Sequence, residues 1–221
     1  MMKNTTRNNI EVATPHQMMK TPTRDNIEVE EFSNQFWFFQ LLVWLDFLVD
    51  PIPNIVIETG THRGWGAFRW SRFFDDVHTV ELSEELYNSS CEKYGHIDSI
   101  TFHNNNSVDF LKEFLSKTED RCIIFLDAHG SGGDTVYDEE VGRYGSPVIG
   151  ELRAIKDYSA RNDHIIIIDD CDTFGTLNYP SKQQLENEIL DINSDYCVEL
   201  NVPRNLLISP HGTGIAYLPN G

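Results

Sequence analysis

Between residues 54 and 169 the sequence repeats one alternation: a short, almost continuously apolar run followed by a segment with helical patterning. The apolar runs fall at 54–58, 77–81, 99–103, 122–127 and 164–169, and the helical segments between them at 66–74, 84–94, 107–116 and 147–160. A strand that is apolar on both faces must be covered on both faces. Parallel sheets wrapped by crossover helices provide that cover. The expected fold class is therefore α/β, a mostly parallel sheet with helices on both faces. A last helix is expected over 181–192, followed by strands at 196–200 and 214–218. The link between these two strands carries Pro203 and Pro210 and no helical pattern, so they read as an antiparallel hairpin, bringing the sheet to seven strands.

Ahead of this unit, MMKNTTRNNIEV from Met1 recurs as MMKTPTRDNIEV from Met18, identical at nine of twelve positions. Two copies of a polar segment cannot stack into a solenoid, which needs several units to bury a core. Residues 1–29 are expected to form a flexible arm and residues 30–221 a single domain. The stretch EEFSNQFWFFQLLVWLDFLV over 30–49 is apolar around nearly its whole circumference and must be covered on most sides. The sheet, the roof of a site, or a second subunit in a homodimer could each cover it.

A net charge of −18 argues against nucleic acid as partner, because phosphate backbones are gripped by clustered Lys and Arg. Cys91, Cys122, Cys171 and Cys197 are widely spaced and include no CxxC pair, which points to neither a zinc site nor a disulfide framework and fits a reducing cytosol. The longest apolar run, 36–49, is broken by Gln40 and Asp46 and is shorter than the ~20 residues of a bilayer span. The start lacks a signal-peptide pattern, and a soluble cytoplasmic protein without membrane partners is expected.

In open α/β sheets, ligands bind beyond the carboxyl ends of the strands. Four of the five strand ends here are acidic: Glu58, Glu81, Asp127 and Asp169. The first strand runs into Glu58-Thr59-Gly60-Thr61-His62-Arg63-Gly64, a glycine turn feeding a helix. Such a turn lets backbone pass close to a ligand. Its GxxxG spacing differs from the dinucleotide fingerprint GxGxxG and disfavours a nicotinamide or flavin enzyme. Glu81 is placed to accept both hydroxyls of a ribose.

The segment IVIETGTHRGWGAF resembles motif I of class I S-adenosylmethionine (SAM)-dependent methyltransferases. Its Glu-Thr-Gly-x-x-Arg-Gly core is similar to that of macrocin-type sugar O-methyltransferases, and the resemblance covers about 54–173. It implies a Rossmann-like methyltransferase fold. It further implies that Glu58, Thr59, Gly60, Thr61 and Gly64 surround the methionine part of the SAM donor, with Asp127 close by, and that Glu81 holds the ribose. Asn106 and Ser107 would sit at the adenine, with Asn106 where many relatives carry Asp. The segment LDAHGSGGDT, followed by Pro-x-x-x-Glu-Leu and IIDD, also looks like glycan methyltransferases of large algal viruses (chloroviruses). That likeness implies a sugar or glycan acceptor, rhamnose-like sugars among the candidates, and the host cytoplasm as the compartment.

A second constellation follows strands four and five: Asp127 and His129, then Asp169 and Asp170. Adjoining strands lie ~4.8 Å apart, so Asp127, Asp169 and Asp170 could converge on one ion, and hard oxygen ligands favour Mg²⁺, Mn²⁺ or Ca²⁺ over zinc. The resemblance to metal-dependent sugar and catechol methyltransferases implies the same. Methyl transfer to a hydroxyl needs alignment and loss of a proton. His129 is the first candidate for the base, with ion ligand and orienting wall as its other possible roles, and Asp127 is its catalytic companion. The long insertion after Gly130 carries Tyr137, Arg143 and Tyr144 and could select the acceptor. The rival reading is a noncatalytic methyltransferase-fold protein that binds the nucleoside or a partner. It would have no use for Asp127, His129, Asp169 and Asp170 together.

Overall fold

The computed structural model describes residues 38, 40–43, 45, 46, 48–130, 145–176, 179–200 and 212–219. The duplicated arm, residues 131–144 of the insertion with Tyr137, Arg143 and Tyr144, and the link bearing Pro203 and Pro210 lie outside the described residues.

Strands β1 (Ile55–Thr59), β2 (Asp76–Glu81), β3 (Ile100–Asn104), β4 (Cys122–Leu126), β5 (Ile165–Ile168), β6 (Cys197–Glu199) and β7 (Gly214–Tyr217) form one seven-stranded sheet in the order β3-β2-β1-β4-β5-β7-β6. The first five pair in parallel, while β7 is antiparallel to both β5 and β6. The hairpin expected from sequence is present, but β7 inserts between β5 and β6. Ile215 and Ala216 of β7 are buried against the core, whereas Cys197 and Glu199 of β6 are exposed. The more apolar strand therefore takes the interior position.

Helices α1 (Trp65–Trp70), α2 (Glu84–Tyr94), α3 (Ser107–Leu115), α4 (Val148–Tyr158) and α5 (Lys182–Ile192) lie close to the expected segments. The α1 helix ends at Trp70 and gives way to a turn instead of running to Phe74, with Phe73 and Phe74 amides both bonding back to the Trp70 carbonyl. Ser83, Asn106 and Ser181 cap α2, α3 and α5 by accepting backbone N–H bonds, so these starts were written into the sequence.

Side-chain alternation along the strands divides the core between the two faces of the sheet. Ile57, Ile124, Leu126, Ile166 and Ile168 pack with Leu111, Leu115, Leu152, Ile155 and Ile189 of α3, α4 and α5. Val56, Ile123, Phe125, Ile165 and Ile167 pack on the other face with Ala67, Trp70 and Tyr94. Phe38, Leu41 and Leu45, from the helical residues within 38–48, complete that second layer, so the sheet side covers this face of the segment while Val43 is exposed. No helix among the described residues is long and apolar enough to cross a membrane.

Candidate active site

The strand order reverses between β1 and β4, which opens a crevice at their carboxyl ends. The turn after β1 is held in an unusual shape: Gly60, His62 and Gly64 all have positive φ, at 85°, 47° and 77°. Backbone amides of Gly60 and Thr61 both donate to the Val80 carbonyl, at 3.0 and 3.1 Å, which ties the turn to β2. A Cβ on Gly60 would lie 2.7 Å from the Asp127 carbonyl oxygen, and one on Gly64 would lie 2.7 Å from the Tyr94 ring. Glycine at these two positions is thus required twice over, by conformation and by space.

Glu81 joins the end of β2 to this turn. Its two carboxylate oxygens accept the His62 amide at 2.7 Å and the Ser83 amide at 2.9 Å. Each oxygen retains further lone-pair capacity, so this grip is compatible with the ribose role expected of it. Leu82, the next residue, is 38% exposed, a large apolar side chain left open beside Glu81. Leu82 is not among the residues expected at the site. Its place directly after the strand-end acid, and before the Ser83 cap, was the available signal.

Glu58 and Thr59 point to opposite sides of β1. The Glu58 side chain is buried, accepts the Thr79 hydroxyl at 2.7 Å, and abuts Gly66 so closely that a Cβ there would be 1.9 Å from its Oε1. Thr61 joins the same chain through a 2.7 Å contact between its hydroxyl and that of Thr79. Burial raises the Glu58 carboxyl to about 7 against the opposing Thr79 bond and Arg69 charge. Glu58 thus underpins the turn from below. Thr59 faces the other side and accepts the Asp127 amide through its carbonyl at 3.2 Å and its hydroxyl at 3.3 Å. Asn106 accepts the Val108 and Asp109 amides as the α3 cap, so its side-chain oxygen already serves the helix, and Ser107 is buried beside it.

At the ends of β4 and β5, the structure assembles Asp127, His129 and Asp170. His129 Nδ1 lies 3.5 Å from Asp127 Oδ1, and its Nε2 lies 3.1 Å from Asp170 Oδ2. Asp170 adopts a left-handed φ of 55°, a conformation that Asp tolerates better than most residues and that turns its carboxylate toward β4. All three side chains are partly accessible, at 28%, 19% and 15%. Withdrawal from water, then the carboxylates of Asp169, Glu58, Asp170 and Glu151, hold the Asp127 carboxyl well above its ordinary range.

The expectation of an ion held by Asp127, Asp169 and Asp170 finds no support in this arrangement. Among the described residues, no group of three or more His, Cys, Asp or Glu side chains is disposed to hold a metal. The physical reason is the His129 ring, which stands between Asp127 and Asp170 and meets a carboxylate at each nitrogen. The other strand histidines behave structurally. His78 Nδ1 and His103 Nε2 meet at 3.0 Å on β2 and β3, and His164 Nδ1 accepts the Cys122 amide at 3.1 Å.

No protein-family model matches the chain, and no curated protein matches it. Solved structures do. An O-methyltransferase from Bacillus cereus in complex with SAH aligns over 89% of this chain and 84% of its own, at 18% identity and a TM-score of 0.58. A SAH-bound methyltransferase from Podospora anserina aligns over 99% and 100%, at 15% identity and a TM-score of 0.52. Spermidine synthase from Thermotoga maritima aligns over 84% of this chain and 60% of its own, at 12% identity and a TM-score of 0.52. Identities this low establish the fold alone: the chain has the Rossmann-like fold seen in class I methyltransferases.

Proposed function

We propose that the chain is a SAM-dependent O-methyltransferase acting on a hydroxyl of a small polar acceptor, with a sugar or glycan as the substrate class. The observation that carries this reading is the meeting of two constellations at one crevice. A glycine turn clamped by Glu81 lies on one side, and His129 held between Asp127 and Asp170 lies on the other. The fold shared with SAH-bound methyltransferases supports the donor, and the sequence resemblance to sugar O-methyltransferases supports the acceptor class.

The bound donor supplies an electrophilic methyl on a sulfonium, whose sulfur leaves as a neutral thioether. Glu81 accepts the ribose hydroxyls, and the Gly60–Gly64 turn gives its backbone to the methionine end. Asp170 accepts the Nε2 proton of His129 and so fixes the tautomer in which Nδ1 is the base. The long 3.5 Å contact between Nδ1 and Asp127 leaves that nitrogen available to an incoming hydroxyl. As the acceptor oxygen bonds to the methyl carbon, its proton passes to Nδ1, and the Asp170 carboxylate stabilises the resulting imidazolium. No step is routed through a metal ion.

Single-turnover methyl transfer to a panel of sugars, with and without EDTA, tests the reading. His129→Gln should lower turnover by about 10²–10⁴-fold while leaving SAH binding unchanged. Full turnover in His129→Gln would remove the base from this scheme, and loss of wild-type turnover in EDTA would require an ion in it.

A further inference from the structure

Glu151 has no part in the scheme above, yet it sits in an unusual setting for an acid. It lies in the first turn of α4, fully buried, and neither of its carboxylate oxygens meets a hydrogen-bond partner in good geometry among the described residues. The other acids buried at this edge are bonded: Glu58 to Thr79, and Glu81 to two backbone amides. The hydroxyls of Ser107 and Thr59 lie near enough to oppose the upward pull of burial, which raises the Glu151 carboxyl to about 7. Thr59 ends β1 immediately before the glycine turn, Ser107 begins α3, and Asp127 at the end of β4 feels the Glu151 charge. The carboxylate therefore lies under the floor of the crevice, among three elements that border it.

A carboxylate in this setting is poor structural material. An apolar or amide side chain of the same length would fill the space without the desolvation cost of a charge. What a buried charge offers is a field weakly screened by solvent, felt by a ligand it does not touch. We propose that Glu151 is a specificity-determining residue that favours the positively charged methyl donor over its neutral product. The inference rests on the donor site proposed above. Methyl transfer turns a sulfonium into a thioether, and so removes one positive charge from the crevice. A fixed negative charge beneath it holds the donor more tightly than the spent product and assists product release.

The test is calorimetric titration of the full chain at pH 8.5, where the carboxyl is ionised, with SAM, SAH and sinefungin, in which an amine replaces the sulfonium methyl. The variants are Glu151→Gln and Glu151→Met, both uncharged and close in size, and Glu151→Asp, which keeps the charge. The ratio of SAM to SAH affinity should fall by about tenfold in the uncharged variants, the size expected of unit charges ~10 Å apart at an effective dielectric near 20. Sinefungin should follow SAM, SAH affinity should stay constant, and Glu151→Asp should retain the wild-type preference. Equal weakening of SAM and SAH, or an unchanged ratio, would overturn the proposal and leave Glu151 a structural residue. Absence of binding by the wild-type chain would instead overturn the donor site itself.

Discussion

Alanine substitution at Gly60 and at Gly175 separates two costs that usually occur together. Both glycines are left-handed, with φ of 85° and 89°. An alanine at either incurs the conformational penalty of that region, roughly 1–2 kcal/mol. They differ in their surroundings. Among the described residues a Cβ at Gly175 meets nothing within 4 Å, whereas one at Gly60 meets the Asp127 carbonyl oxygen at 2.7 Å, its carbon at 3.0 Å and the Ala128 Cα at 3.1 Å. These are backbone atoms of the loop leaving β4, fixed by the Asp127 amide bond to Thr59, so they cannot rotate aside. Overpacking of this kind adds about 1–3 kcal/mol. Gly175→Ala should therefore lose about 1–2 kcal/mol and Gly60→Ala about 2–5 kcal/mol in urea denaturation at equal m-value. Gly60→Ala should also weaken SAH binding, since the same loop carries Asp127. Equal destabilisation by the two substitutions would refute the claim that close approach of β1 and β4, as well as conformation, demands glycine at position 60.

Two further predictions concern stability and pH. Glu151 has a folded-state pKa raised to about 7 from 4.5, so the folded chain binds the extra proton and stability falls as pH rises through that window. Glu151→Gln abolishes this loss: relative to wild type it should gain about 3 kcal/mol between pH 4.5 and 8, and a difference independent of pH in urea titrations would contradict the assignment. His164 runs the other way. Burial lowers it to about 4 from 6.5, so the unfolded chain binds the extra proton and stability is lost as pH falls from about 6.5 toward 4. Replacement by Asn should lower stability at pH 8, by loss of the bond to the Cys122 amide, yet flatten the acid limb; an unchanged acid limb would argue against a buried neutral imidazole.

The parallel core was legible because its five strands are apolar runs punctuated by acids, and because Ser83, Asn106 and Ser181 announce the helices that follow. The insertion of β7 between β5 and β6 was not, since strand order depends on pairings between residues distant in sequence. The strand-end acids identified the crevice, but sequence gave no direction to their side chains. Glu58 turns under α1 toward Thr79 while its neighbour Thr59 faces Asp127. Nor could spacing show that His129 would stand between Asp127 and Asp170, because that depends on the left-handed backbone at Asp170. Glu151 was hidden by its position in a first helical turn, where an acid ordinarily complements the helix dipole at the surface. Its spacing from Val148 and Ile155, three and four residues away on the buried face, was the signal that it points inward.

The most direct test of the donor site is calorimetric titration of SAH into the wild-type chain and into Glu81→Ala, with EDTA present throughout. Binding on the order of micromolar by the wild type, weakened at least tenfold in a folded Glu81→Ala, is the expected result, because Glu81 is proposed both to clamp the glycine turn and to hold the ribose. Absence of binding by the wild type, or equal binding by both chains, would contradict the placement of a nucleoside donor at the carboxyl ends of β1 and β2.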